Sequence, residues 1–96
     1  MIPPLDTTKL AEICRRNDVS SLGVFGSVAR GEATAQSDLD LLVKFSGRKS
    51  ILAVVSLERQ LADAFGRKVD LVTEAALSPY LRSQILRDLR VIYEAG

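Results

Sequence analysis

The sequence has no histidine and no tryptophan, and a single cysteine, Cys14. A zinc site therefore lacks the nitrogen and sulfur ligands it is normally built from. One thiol cannot close an internal disulfide, and its isolation suits a reducing compartment. Neither sign of charge dominates: 13 Lys and Arg face 12 Asp and Glu, a formal net charge of +1. No global field draws such a chain to nucleic acid or to anionic lipid, so direct nucleic-acid binding is not expected and any phosphate binding must be local. Long apolar runs are missing too. The most apolar stretch, Ile51 to Leu57, is too short to span a bilayer. No basic region followed by an apolar run marks a signal peptide. These absences point to a soluble cytoplasmic protein with no membrane partner. Internal repeats, low-complexity tracts and linkers are also lacking.

What is present is enough for a folded core. Hydrophobic residues make up 47% of 96 positions, an ordinary share for a globular chain and too high for a disordered one. The length predicts a single domain over residues 1–96. A chain of this size buries only roughly 60–65% of its unfolded surface, so the core is modest.

The pattern alternates helices with strands. Asp6 or Thr7 can cap a helix running to about Arg16, with Leu10, Ile13 and Cys14 on one stripe. Asn17-Asp18 is a stop signal. Ser21 to Phe25 reads as a short buried strand, followed by Gly26-Ser27 and a helical turn through Arg30. Gly31 to Ser37 is loop, and Asp38 to Phe45 a second strand. Ser50 caps the longest helix, with Val54, Leu57, Leu61 and Phe65 inward and Gly66 at its C-cap. Lys68 to Thr73 is a third strand. Ser78-Pro79 starts a last helix, with Leu81, Ile85 and Leu89 inward and Arg82, Arg87 and Asp88 outward. Val91-Ile92-Tyr93 closes as a short strand. The expected architecture is α/β (α+β), with helices packed on a small mixed β-sheet of about four strands. Tyr80 and Tyr93 are assigned to packing, and Cys14 to the core.

Two segments break the apolar pattern with carboxylates. Asp38 and Asp40 are two apart on a strand, so they share a face while Leu39 takes the other. Paired carboxylates repel unless a cation lies between them. Asp70 sits in the middle of the apolar third strand, where a charge needs a partner. If the two strands are neighbours, the three carboxylates can form an oxygen cage suited to Mg²⁺ or Mn²⁺. Taken singly, Asp38 and Asp40 also fit a solvated strand edge, and Asp70 a salt bridge to Arg67 or Lys68. Gly26-Ser27, between strand and helical turn, offers backbone N–H groups and a hydroxyl to an anion. Ser27 fits a plain helix N-cap equally well. Arg30 either pairs with Glu32 or reaches a phosphate, and the sequence leaves that choice open.

Gly26-Ser27, ten residues, then Asp38-x-Asp40 resembles the motif of the polymerase-beta-like nucleotidyltransferase superfamily. The strings Gly-Ser-Val-Ala-Arg-Gly-Glu-Ala and Ser-Asp-Leu-Asp-Leu-Leu-Val are similar to its minimal nucleotidyltransferase branch. The likeness runs over about residues 8 to 94, through Lys68-Val-Asp-Leu-Val and the Ser78-Pro79 helix start. Lys44 departs from it, beyond the acidic pair. The resemblance implies the polymerase-beta-like fold, ATP as substrate and two Mg²⁺ ions. Asp38 and Asp40 would hold the nucleotide-side metal and bridge both ions. Asp70 would complete the site of the metal that activates the acceptor hydroxyl. Gly26 and Ser27 would bind the β and γ phosphates, and Arg30 matches a family position. It further implies an antitoxin paired with a HEPN-type toxin, with AMP passed to a tyrosine of that partner. A chain this small has no room for an acceptor-binding domain, so the acceptor brings its own surface or a second copy supplies one as a homo-oligomer. The competing class is a non-catalytic antitoxin that neutralises its partner by binding alone.

Overall fold

In the computed structural model, which describes residues 7–32, 34 and 36–95, local signals set the element ends. Helix α1, Thr7–Arg16, ends where Asn17 Nδ2 donates to Ile13 O at 2.7 Å and Asp18 turns left-handed at φ 56°. The cap expected at Asp6 lies outside the described residues, and Thr7 is already helical. Strand β1, Val19–Phe25, starts two residues earlier than expected. It runs into the single-turn helix α2, Gly26–Ala29. Strand β2 spans Leu39–Phe45. In helix α3, Ile51–Phe65, Ser50 Oγ accepts from Ala53 N, and Gly66 closes the C-terminus at φ 68°. That left-handed conformation favours glycine. Strand β3 is Val69–Thr73, followed by a 3₁₀ turn at Glu74–Ala76. Helix α4, Pro79–Asp88, is capped by Ser78, and strand β4 is Arg90–Glu94.

The strands form one mixed sheet in the order β3-β2-β1-β4. β1 pairs antiparallel with both β2 and β4, while β2 and β3 are parallel. A parallel neighbour needs a crossover, and α3 supplies it.

Strand parity divides the sheet into two faces. One carries Leu22 and Val24 of β1, Leu39, Leu41 and Val43 of β2, and Val69 and Leu71 of β3. Leu10, Ile13 and Cys14 of α1 and Leu57 and Leu61 of α3 join them in the core, with Val54 and Phe65 packed against it. Burial pushes the Cys14 thiol up to about 11, which makes it an inert packing group.

The opposite face is covered less completely, and here two expectations are corrected. Leu81, expected inward, is 53% exposed, and Tyr80, expected to pack, is 94% exposed. None of the residues of α4 is buried. The reason is that α4 meets the sheet at its C-terminal end. A Cβ built on Gly23 would lie 2.5 Å from Leu89 Cδ1, so the missing side chain at Gly23 is what lets Leu89 seat there. Tyr93, by contrast, does pack against the core. Among the described residues no helix is long and apolar enough to cross a membrane.

Candidate active site

The acidic face begins with strand register. Asp40 stands directly opposite Asp70 in the parallel β2–β3 pair, flanked by the pairs Leu39–Val69 and Leu41–Leu71. Those four leucines and valines are buried. With the flanking side chains committed to the core, the pleat turns both aspartates to the other face. Asp38 lies just before β2 rather than inside it, and is exposed. Lys68 Nζ approaches its Oδ2 at 3.9 Å.

Electrostatics gathers on Asp40. Its carboxyl is held above its ordinary pKa of 3.8, first by burial, then by the charges of Asp70 and Asp38, with Arg30 opposing. Both neighbours thus act on one half-buried group, which is what a cation would relieve. Among the described residues, no three acidic side chains form a ready-made ion cage.

The turn after β1 closes the other side. Gly26 is left-handed at φ 75°, and a Cβ there would collide with Asp40 Oδ2. Glycine is required twice, once by the backbone and once by the carboxylate lying against it. Ser27 does not cap α2. The cap position is Phe25, which makes no side-chain cap bond, and Ser27 sits within the first turn.

Arg30, at the end of α2, is fixed by two carboxylates. Its Nε donates to Glu32 Oε1 at 2.9 Å and its Nη1 to Asp88 Oδ2 at 3.0 Å. The Glu32 pair is one of the two roles the sequence offers Arg30. The Asp88 pair is not, because helical periodicity points Asp88 outward, whereas it reaches back from α4 to the turn. The available signal was its place at a helix C-terminus, where an acid opposes the macrodipole. Arg67, one of two partners left open for Asp70, is engaged elsewhere. It bonds neither Asp70 nor Asp38 but donates from Nη2 to the carbonyls of Thr34 and Ser37. It thereby tethers the loop that leads into Asp38.

A family model described as polymerase beta, nucleotidyltransferase, matches residues 8–96. The chain belongs to this nucleotidyltransferase family. This nucleotidyltransferase is 39% identical over 83 residues to protein adenylyltransferase MntA of Thermococcus cleftensis, covering 86% of this chain and 84% of the relative. It is 42% identical to a solved structure described provisionally as a minimal nucleotidyltransferase, with TM-score 0.76 over 88% of this chain and 86% of that one. A crystal structure of a toxin–antitoxin with AMP-PNP superposes at TM-score 0.78 with 26% identity, over 96% of this chain and 76% of that one. The mixed sheet and its helices are thus the nucleotidyltransferase fold, as the resemblance implied.

Proposed function

We propose that this nucleotidyltransferase transfers AMP from ATP to a hydroxyl of a partner protein, a tyrosine of a HEPN-type toxin, and so acts as its antitoxin. The observation that carries the reading is the in-register pair Asp40–Asp70 beside the Gly26 turn. Protein adenylyltransferase as the name of the Thermococcus cleftensis relative supports a protein acceptor. A toxin–antitoxin holding AMP-PNP supports ATP as the donor.

The donor set fits Mg²⁺. Asp38, Asp40 and Asp70 supply only hard oxygen ligands, and their repulsion on Asp40 favours a bound cation. They are the residues that would hold it. The chemistry a bound Mg²⁺ would supply there is a lowered pKa for the acceptor hydroxyl and charge neutralisation on the pyrophosphate. The chain's own groups do the rest. Backbone N–H groups of the Gly26–Ser27 turn and the Ser27 hydroxyl donate to phosphate oxygens, and Gly26 keeps the approach clear of a Cβ. Arg30 adds positive charge beside them. Asp70 accepts the proton of the acceptor hydroxyl as it attacks the α-phosphorus in line. A tyrosine hydroxyl ordinarily ionises near about 10, so it needs that help at neutral pH.

The test is transfer of label from α-labelled ATP to the co-expressed partner with Mg²⁺. Asp40→Asn is expected to lower the rate on the order of 10²–10³-fold, the scale of a lost electrostatic group in an active site. Full transfer by Asp38→Asn, Asp40→Asn and Asp70→Asn alike would remove the assignment. Partner neutralisation that survives with no calorimetric signal for Mg-ATP would replace it with binding alone.

A further inference from the structure

Asp88 ends α4, the position where a helix's partial negative charge makes an acid least welcome. It is nonetheless drawn in, with its side chain only 21% exposed. Its partner among the described residues is Arg30, reached across 58 positions of sequence. Helix stability does not explain a carboxylate there, whereas the ion pair does.

The surroundings fix that end of α4 in place. Leu89, the next residue, seats over Gly23 of β1. Gly23 has the strand parity of Phe25, which pairs with Asp40, so its open side belongs to the acidic face. Among the described residues the start of α4 has no such anchor: Arg82 reaches Glu74 at 3.2 Å, and Tyr80 and Leu81 are exposed. The better-held end is the end that touches Arg30.

The guanidinium geometry then matters. Of five N–H donors in a planar fork, one on Nε goes to Glu32 and one on Nη1 to Asp88. Glu32 belongs to the loop after α2, with its side chain 64% exposed, and by itself would leave the fork free to swing. Asp88 comes from a different element and grips a second edge. Two carboxylates from two elements set the plane of the guanidinium and leave the Nη2 donors for an incoming anion.

We propose that Asp88 is a positioning residue that orients Arg30 toward the nucleotide phosphates, making the C-terminus of α4 part of the nucleotide site. This rests on the nucleotide reading given above. In this role Asp88 acts through Arg30, its side-chain partner among the described residues.

The experiment is a double-mutant cycle on the full chain, with Mg²⁺ and AMP-PNP affinity read by calorimetry. Asp88→Asn is expected to weaken binding about three- to fivefold, in line with one partly exposed ion pair. Arg30→Gln should weaken it at least as much. In the Arg30→Gln background Asp88→Asn should then cost nothing further, and Asp88→Glu should restore part of the loss in the single variant. With partner and labelled ATP, the effect should fall on the KM for ATP and leave kcat near its original value. Unchanged affinity in Asp88→Asn, or losses that simply add, overturns the proposal. If that happens while Asp40→Asn still abolishes Mg²⁺-dependent binding, the nucleotide site stands and Asp88 alone is dismissed. If the unaltered protein binds no AMP-PNP, both fall together.

Discussion

Strands β1, β2 and β3 present two faces of opposite character. One carries Leu22, Leu39, Leu41, Val43 and Val69 into a core closed by α1 and α3. The other carries Asp40 and Asp70 in register, with α4 touching it near Gly23 and Arg30. The helices follow suit. Both α3 and α4 begin at a capping serine, yet α3 buries Leu57 and Leu61 and α4 buries no residue. One face is spent on stability. The other keeps repelling charges together, and that arrangement is tolerable only because the first face holds the strands in place.

The comparison can be broken most severely on the core side. Leu61→Ala should cost about 2–5 kcal/mol of unfolding free energy, the usual range for an emptied leucine site. The matched change on α4, Leu81→Ala, should stay within about 0.5 kcal/mol, since it removes a largely solvated side chain. Urea denaturation of both variants checks the contrast, and similar losses would mean that α4 packs as tightly as α3.

A smaller effect is expected where the faces meet. Gly26→Ala forces a left-handed alanine, costing roughly 1–2 kcal/mol, and drives its methyl against Asp40 Oδ2. Nucleotide transfer should fall by more than stability does, because the carboxylate is displaced as well. Thermal melting and labelled-ATP transfer, measured side by side, separate the two losses.

The smallest effect sharpens the charge contrast. Asp40 has its folded pKa raised above 3.8, so in the window just above that value the folded state binds more protons than the unfolded one. Its contribution to stability is therefore greatest at acid pH and falls as pH rises through the raised pKa. In chelator-treated buffer, the melting temperature of Asp40→Asn should gain on the unaltered protein as pH climbs from acid toward neutral. A gap that stays constant with pH would mean that repulsion on Asp40 is relieved by other means.

Much of this was readable before any coordinates. The capping serines, Gly66 and the stripe of α1 act within a few residues of chain, and short-range rules find them. The motif of Gly26, Ser27, Asp38 and Asp40 is likewise local. Asp88 and Arg67 escaped because their partners are distant in sequence: Arg30 lies 58 positions from Asp88, and Thr34 lies 33 from Arg67. Periodicity also misjudged Leu81 and Tyr80. It reports which residues of a helix share a side, and is silent on whether anything covers that side.

The sequence by itself determined most of the elements, the serine caps of α3 and α4, the carboxylates that interrupt the apolar pattern, and the family motif. Each of these follows from steric and hydrogen-bonding preferences that act over a few residues. Only the tertiary structure decided that β3 lies beside β2 in the register that sets Asp70 against Asp40. It alone decided that α4 ends on Gly23 and Arg30. Strand pairing and helix docking are choices among distant surfaces, made by the total area the chain can bury and the charges it can match, and no short window of sequence contains that sum.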